Sequence, residues 1–264
     1  MAEVIGVAVV GMGWMGQAHS RAYLRVPDLF HDEGVVAHLA VVADPVPARR
    51  DEAVARFGFQ RAVADWRDAI SQPDVRIVVV STPNAQHAEV AVAAARAGKH
   101  VFCEKPVGRT VTETQAIATA VREAGVQGGV GFNYRWAPMV QYAARLVADG
   151  HLGAITHYRS RFFSMYGSDP MSQLSWRFEQ EAAGLGVLGD LMPHVADMAR
   201  FLLGPIARVS ATVETHITDR PLPVPGRGTH FTRGRPGDPT GPVTNEDDAT
   251  VPVQFSSEIG RAHV

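Results

Sequence analysis

Cysteine and lysine are both scarce in this chain. Among 264 residues Cys103 is the only cysteine, which excludes an internal disulfide and favours a reducing compartment. The 25 basic residues include only two lysines, Lys99 and Lys105, so the other 23 are arginines. No apolar run approaches the roughly 20 residues of a membrane span, and Met1-Ala2-Glu3 lacks the basic start of a signal peptide. We therefore expect a cytoplasmic protein.

An excess of charge of either sign is also missing. The formal net charge is -2, which gives no electrostatic basis for binding nucleic acid or an anionic membrane. The composition, 46% hydrophobic and 20% charged, is typical of a folded globular protein. The length allows one large domain or two of ordinary size. The composition therefore predicts no nucleic-acid or membrane partner.

Apolar runs alternate with helical segments through the first half of the chain. Such runs are typical of strands that are buried on both faces of a parallel sheet. The four clearest are Val4–Val10, Leu39–Ala43, Val75–Val80 and His100–Cys103. Strands that alternate with helices of this length predict a doubly wound α/β domain, which we place at residues 1–129.

The pattern changes after Gly125. Ile155–Phe163 and Ile206–Thr218 predict longer, half-exposed strands, with a helical stretch at Gly189–Leu203 between them. Pro221–Pro242 is rich in proline and glycine and predicts a long mobile loop. The second domain, at residues 130–257, is therefore expected to be α+β with an open, largely antiparallel sheet.

The end of the chain fits neither pattern. Too few residues follow Phe255 for another paired strand and its turn, and residues 258–264 have neither a strand nor a helix period. We expect the second domain to be incomplete and the chain to be C-terminally truncated. In this interpretation the native sequence stops near Ser257 and residues 258–264 are a non-native tail.

A glycine-rich segment directly follows the first predicted strand and opens a helix. In Gly11-Met12-Gly13-Trp14-Met15-Gly16 the first glycine permits a tight turn, the second lets a pyrophosphate approach the backbone, and the third allows close helix packing. The helix N-terminus supplies amide donors for phosphates. This context predicts a Rossmann dinucleotide-binding loop that includes Trp14 and Met15, although a purely structural turn is the alternative.

Asp44 ends the second predicted strand. A carboxylate there can accept hydrogen bonds from both adenine-ribose hydroxyls and would repel a 2′-phosphate, so it favours NAD over NADP. Two alternatives stay open. Asp44 caps a turn before Pro45, or Arg49 and Arg50 receive a phosphate instead.

Lys105 lies where the fourth clear strand ends. A chain that otherwise prefers arginine places here a compact donor whose pKa responds to burial, which suits the polarisation of a hydroxyl or carbonyl group. A surface lysine at the start of a loop is the alternative. Asp190 and His194 stand four residues apart, which on one helix would place them on one face as an oriented general base. An ordinary surface pair is the alternative there.

Metal ligands are not indicated. Asp197 lies one helical turn beyond His194, but no further histidine or cysteine stands nearby to complete a metal site.

These motifs together resemble the Gfo/Idh/MocA family, named after glucose-fructose oxidoreductase, inositol dehydrogenase and MocA. The glycine loop, Ser81-Thr82-Pro83-Asn84 with His87, Glu104-Lys105-Pro106, and Asp190 with His194 occur in the family's order. The resemblance spans about Val4 to Phe255.

The resemblance implies an NAD(P)-dependent dehydrogenase that acts on a secondary alcohol of a sugar, cyclitol or related polyol. Lys105 would bind the reacting oxygen, His194 would take the hydroxyl proton, and Asp190 would hold His194 and touch the substrate. Further cofactor contacts would come from Thr82, Pro83, Asn84, His87 and Glu104. Looser substrate contacts would come from Asn133, Tyr134, Arg135, Trp176 and Arg177.

Three further expectations complete the interpretation. The exposed face of an antiparallel sheet favours a homo-oligomer of the full-length protein. A non-catalytic dinucleotide-binding sensor or regulator is an alternative function, although Lys105, Asp190 and His194 together argue against it. An inactive fragment of the enzyme is the other alternative.

Overall fold

The computed structural model divides the chain into two compact units. The first ends at Gly131 and the second begins at Phe132, two residues beyond the predicted boundary at 129. The structure describes residues 3–223, 232–256 and 262–263. Among these residues, no helix is long and apolar enough to cross a membrane.

The first unit is built on a six-stranded sheet in which every strand pair is parallel. The strands are β1 (Glu3–Val10), β2 (Val35–Ala43), β3 (Arg61–Val63), β4 (Val75–Val80), β5 (His100–Cys103) and β6 (Gly128–Val130). Their order is β3-β2-β1-β4-β5-β6. Valine and alanine dominate β1, β2 and β4, and their buried side chains lie on both faces of the sheet. The predicted doubly wound α/β fold is confirmed.

Five helices connect these strands. They are α1 (Trp14–Leu29), α2 (Pro47–Phe57), α3 (Trp66–Ile70), α4 (Asn84–Arg96) and α5 (Val111–Glu123), with a 3₁₀ turn at His31–Glu33. Backbone bonds continue past the strand ends, since Ser81 N–H donates to Val10 O at 2.9 Å and Glu104 N–H donates to Val80 O at 2.9 Å. The loops that follow β1, β4 and β5 therefore lie side by side at the carboxyl edge of the sheet.

Cys103 is the last residue of β5 and lies inside this core. Its side chain is 1% exposed, and its Sγ lies 3.9 Å from Val107 O. Burial raises the pKa of the Cys103 thiol to about 12.

The second unit combines short helices with small antiparallel sheets. Its helices are α6 (Pro138–Ala148), α7 (Gln180–Ala183), α8 (Val187–Asp190) and α9 (Met192–Leu203), with 3₁₀ turns at Asn133–Trp136 and Trp176–Phe178. Its strands are β7 (Ile206–Val209), β8 (Thr212–Glu214), β9 (Asp219–Pro221), β10 (Thr240–Pro242), β11 (Asp248–Thr250), β12 (Pro252–Phe255) and β13 (Ala262–His263). The expected antiparallel pairing is confirmed, but it is divided among three small sheets, β10-β9, β11-β8 and β13-β12-β7.

Of the two predicted long strands, the first is wrong and the second is divided into shorter strands. Ile155–Phe163 contains no strand among the described residues, because no other described strand pairs with its backbone. The predicted strand at Ile206–Thr218 is split into β7 and β8. Its first part pairs with β12, whose first residue Pro252 has no N–H to continue the ladder, and β8 pairs with β11.

The predicted loop and the predicted tail each contain strand residues, while the non-native origin of residues 258–264 stays a prediction. The ends of the predicted loop Pro221–Pro242 pair as β9 and β10, while residues 224–231 lie outside the described residues. Residues 262–263 of the predicted tail pair with β12 as β13, because an open strand edge accepts almost any backbone. The rest of that tail, residues 258–261 and 264, lies outside the described residues.

Candidate active site

The three glycines of the loop between β1 and α1 occupy different local environments. Gly11 has a φ of +89°, and an added Cβ there would lie 2.7 Å from Ser81 O. A Cβ at Gly16 would lie 2.1 Å from Gly11 O, whereas one at Gly13 would meet nothing within 4 Å. The fold itself therefore requires Gly11 and Gly16, and Gly13 leaves open space against the backbone.

That open space lies at the start of α1. Gly13 is the N-cap residue and makes no side-chain cap with the described residues, and the first helical turn carries no acidic side chain. Trp14 is 66% exposed beside it, and Met15 is partly buried. An uncapped helix N-terminus behind a glycine gap fits the pyrophosphate of a dinucleotide.

Asp44 follows β2 and is only 2% exposed. Its Oδ2 accepts a hydrogen bond from Met12 N–H at 2.8 Å, and its Oδ1 accepts one from Val46 N–H at 2.9 Å. Arg49 Nη1 lies 3.7 Å from Oδ2, and Arg50 Nη1 donates to the backbone oxygen of Asp44 at 2.6 Å. The carboxylate thus caps the turn, as the alternative interpretation expected, and also fixes the glycine loop. Each oxygen keeps acceptor capacity for a ribose hydroxyl.

The loop after β4 contributes Thr82, Pro83 and Asn84. The hydroxyl of Thr82 is buried and has no hydrogen-bond partner among the described residues. Pro83 is exposed at the N-cap of α4, and Asn84, the first residue of that helix, is 7% exposed. A buried hydroxyl that lacks a partner beside the glycine loop is a second feature that fits a polar ligand.

His87 is almost fully buried in α4, at 1% exposure. Its Nδ1 lies 2.8 Å from Pro106 O and its Nε2 lies 2.9 Å from Thr82 O. Burial lowers the pKa of His87, and this outweighs the two carbonyl contacts, which favour the charged ring. His87 thus connects the loops after β4 and β5, and its expected contact with the cofactor stays a prediction.

Glu104 and Lys105 follow β5. Glu104 is 6% exposed; its Oε1 lies 2.7 Å from His19 Nε2, and its Oε2 accepts a hydrogen bond from Lys105 N–H at 3.2 Å. Lys105 is partly buried, and its peptide bond to Pro106 is cis. Lys105 thus lies at the carboxyl edge of the sheet, in the loop next to the one that contains Thr82.

His194 lies in the second unit, in the first turn of α9, and is 9% exposed. Its ring packs edge-on against Tyr134 at 4.7 Å between ring centroids and stacks on Phe162 at 6.1 Å with an interplanar angle of 14°. Phe132 adds a third aromatic contact at 6.2 Å. The imidazole is therefore held in one orientation by an aromatic cage.

Asp190 and His194 do not share one helix as predicted. Asp190 ends α8, Leu191 separates the helices, and His194 belongs to α9. Pro193 favours this break because proline is accommodated in the first turn of a helix and not in its interior. Asp190 and Arg177 both line a cavity of about 740 Å³ within the second unit.

The remaining predicted substrate residues lie at two 3₁₀ turns. Asn133 is exposed. Arg135 forms a two-point ion pair with Asp197, in which Nε donates to Oδ2 at 3.0 Å, and its guanidinium lies 5.0 Å from the Phe201 ring centroid. The guanidinium of Arg177 lies 4.4 Å from the Trp176 ring centroid. Arg135 therefore already has an internal partner.

Sequence reasoning missed two partners of the predicted site residues. His19 and Phe162 carry no local signal, since His19 meets Glu104 across 85 positions and Phe162 was placed in a strand. Asp197 was considered only as a metal ligand. No group of metal-ligating side chains occurs among the residues that the structure describes.

The fold and the glycine loop define a Rossmann dinucleotide-binding protein. Residues 5–132 match the oxidoreductase family described as having an NAD-binding Rossmann fold, and residues 140–262 match the GFO/IDH/MocA C-terminal domain. The chain belongs to the Gfo/Idh/MocA oxidoreductase family, and its cofactor class is a nicotinamide dinucleotide.

Levoglucosan dehydrogenase of Pseudarthrobacter phenanthrenivorans is 41% identical over 254 residues, which cover 96% of this chain and 65% of that protein. The apo structure of a levoglucosan dehydrogenase superposes with a TM-score of 0.91 at 39% identity, covering 99% of this chain and 67% of that one. Its complex with NADH and levoglucosan gives a TM-score of 0.89 at 38% identity, covering 99% and 66%. The chain thus spans about two thirds of the length of these relatives.

Proposed function

We propose that this chain acts as an NAD-dependent dehydrogenase that oxidises a secondary alcohol of a sugar, an anhydrosugar or a cyclitol to a ketone. The observation that carries the proposal is the position of Lys105. It follows β5 at the same sheet edge as the glycine gap at Gly13 and the buried hydroxyl of Thr82. The relatives named levoglucosan dehydrogenase and scyllo-inositol 2-dehydrogenase support this substrate class.

The first unit would hold the cofactor, which supplies a hydride acceptor when bound. The amides at the start of α1 would bind its pyrophosphate, and Asp44 would accept hydrogen bonds from the adenine ribose. Because a 2′-phosphate would meet the buried Asp44 carboxylate, we assign a preference for NAD over NADP. Trp14, Met15, Pro83 and Asn84 are proposed as further contacts on the same edge.

Lys105 and His194 would divide the proton chemistry. Charge develops on the substrate oxygen as its carbon loses hydride, and the Lys105 ammonium would stabilise that charge by donating a hydrogen bond. His194 would accept the hydroxyl proton at a ring nitrogen, with its ring held by Tyr134 and Phe162. Asp190 and Arg177, which line the cavity of the second unit, are proposed as substrate contacts with Asn133 and Trp176.

The decisive experiment is a spectrophotometric screen of anhydrosugars, monosaccharides and inositols with NAD and NADP, run beside a fluorescence titration with NADH. We expect reduction of NAD with at least one of these alcohols. Lys105→Ala should then lower kcat about a hundredfold, the cost of one donor to a developing alkoxide. A kcat for Lys105→Ala within a few-fold of wild type would overturn the assignment. NADH binding without turnover of any alcohol would favour the sensor.

Two broader inferences accompany this proposal. A homo-oligomer and a cytoplasmic location remain predictions from the sequence. Size-exclusion chromatography with light scattering tests the first.

A further inference from the structure

The backbone of Lys105 is held on both sides. On one side its N–H donates to Glu104 Oε2 at 3.2 Å. On the other side the carbonyl oxygen of the next residue, Pro106, lies 2.8 Å from His87 Nδ1. The opposite oxygen of the Glu104 carboxylate meets His19 Nε2 at 2.7 Å. A histidine therefore stands behind each of the two anchors.

These two histidines come from rigid and separate elements. His19 belongs to α1 and His87 to α4, the helices that follow β1 and β4. His19 is further fixed by an edge-on contact with Phe102, at 5.2 Å between ring centroids. His19 and His87 thus connect α1 and α4 to Glu104 and Pro106, the residues on either side of Lys105.

The surroundings of both anchors exclude water. His87 is 1% exposed and Glu104 is 6% exposed. A Cβ at Gly131 would lie 2.7 Å from Glu104 Oε1, so the end of β6 closes the remaining side of the carboxylate. Hydrogen bonds in such surroundings are stronger than in water, and they hold the groups that they join in one geometry.

We propose that His19 and His87 are positioning residues that set the placement of Lys105 for proton and hydride chemistry. This inference rests on the proposed function, since it assigns a role through Lys105. His87 acts by filling the space between Thr82 O and Pro106 O, to one of which its neutral ring donates a hydrogen bond. His19 acts by fixing the Glu104 carboxylate that receives the Lys105 N–H. Neither side chain needs to touch substrate or cofactor.

The kinetic test compares His87→Leu and His19→Leu with the conservative variants His87→Gln and His19→Gln. We expect the leucine variants to lower kcat by about tenfold to a hundredfold, because small misplacements of a reacting group have effects of this size. The NADH dissociation constant should stay within about threefold, and the glutamine variants, which retain a donor, should recover part of the loss. If the histidines act through Lys105, a double variant with Lys105→Ala should have about the same kcat as Lys105→Ala alone.

His100→Gln is the matched control. His100 begins β5 at the opposite end from Lys105 and accepts a hydrogen bond from Gln127 N–H at 3.1 Å, so its loss should leave kcat unchanged. If Lys105→Ala is slow but the histidine variants turn over at the wild-type rate, the positioning role is overturned while the proposed function stands. If Lys105→Ala itself is unimpaired, the proposed function fails first.

A second measurement does not depend on activity. A chain labelled with ¹³C-lysine gives only two lysine spin systems, and Lys105→Arg assigns them. Lys99 is an internal reference, because its Nζ donates to Gln72 O at 2.9 Å and Val75 O at 2.8 Å. In the folded histidine variants the Lys105 signals should shift while those of Lys99 stay in place. Unmoved Lys105 signals in all four folded variants would overturn the proposal.

Discussion

A Cβ on residue 16 would lie 2.1 Å from the carbonyl oxygen of Gly11, so the first turn of α1 rests directly on the backbone of the loop before it. No side chain can enter that space without moving the helix. Gly13, three residues earlier, has a φ of -72° and nothing within 4 Å of an added Cβ. Gly16 is therefore required by the fold, whereas Gly13 is expected to be required by the ligand.

Gly16→Ala should destabilise the first unit by about 3 kcal/mol or more, since the overlap is with backbone. Gly13→Ala should melt near the wild-type temperature but bind NADH at least about tenfold more weakly, because its methyl group occupies the pyrophosphate approach. Thermal melting and NADH titration of the two variants check both statements. Unchanged NADH affinity in Gly13→Ala would contradict the placement of the dinucleotide.

Asp44 should affect both stability and cofactor choice. Asp44→Ala removes the acceptor for Met12 N–H and Val46 N–H, which should lower the free energy of unfolding by about 1–3 kcal/mol. Asp44→Asn keeps one acceptor oxygen but removes the charge, so the preference for NADH over NADPH should fall about tenfold. Parallel titrations with both nucleotides measure the ratio. Equal affinities in the unmutated chain would contradict the NAD assignment at once.

Arg135 should act mainly on stability. Its ion pair with Asp197 is partly buried, with side-chain exposures of 33% and 10%, and the pair raises the pKa of Arg135. A double-mutant cycle with Arg135→Gln and Asp197→Asn should give a coupling energy of about 1–2 kcal/mol in urea unfolding. If either single variant instead raised KM for substrate without changing stability, Arg135 would be a direct substrate contact.

His194 should control the acid side of the pH profile. Histidine is the side chain that ordinarily changes charge between about pH 5 and 8, so protonation of a His194 base should reduce kcat/KM on acidification. His194→Ala should lower kcat strongly and lose this acid-side fall. His151→Ala, an exposed histidine of the same unit, serves as the control. A wild-type pH profile in His194→Ala would rule out the general base.

His87 should make stability depend on pH. Its pKa in the folded chain is lowered, so as pH falls below the ordinary histidine value of about 6.5 the unfolded chain takes up the proton first. Its contribution is therefore complete above about pH 6.5 and is lost on acidification down to the folded pKa. The slope should not exceed about 1.4 kcal/mol per pH unit. Urea midpoints at pH 7.5 and 5.5 should differ less in His87→Gln than in wild type, with His100→Gln as the control.

The sequence determines the first unit more fully than the second because its signals are local. Val75–Val80 and His100–Cys103 were predicted at their observed bounds, since each is a short, continuous run of mainly apolar residues. The requirement for glycine at Gly11 and Gly16 is equally local. In the second unit, strand pairing depends on a distant residue, Pro252, which interrupts the ladder opposite β7.

For the candidate site, too, local features could be predicted from the sequence and contacts between distant residues could not. The segment that contains Lys105 could be found from strand position and composition, because the carboxyl ends of parallel strands meet at one edge. The His19–Glu104 pair could not, since 85 positions separate its members and neither residue shows a periodic signal. The single helix predicted over Gly189–Leu203 was wrong, because spacing alone does not reveal the helix break at Leu191.

The burial of Cys103 makes the thiol next to Glu104 and Lys105 unreactive in the folded protein. Thiolates, not thiols, react with oxidants and alkylating reagents, and burial holds this thiol in its neutral form immediately before Glu104 and Lys105. The folded chain should therefore tolerate oxidative conditions without a lesion beside Lys105. Any labelling of Cys103 would report that β5 had separated from its neighbours, so the single cysteine is a native probe for opening of the sheet.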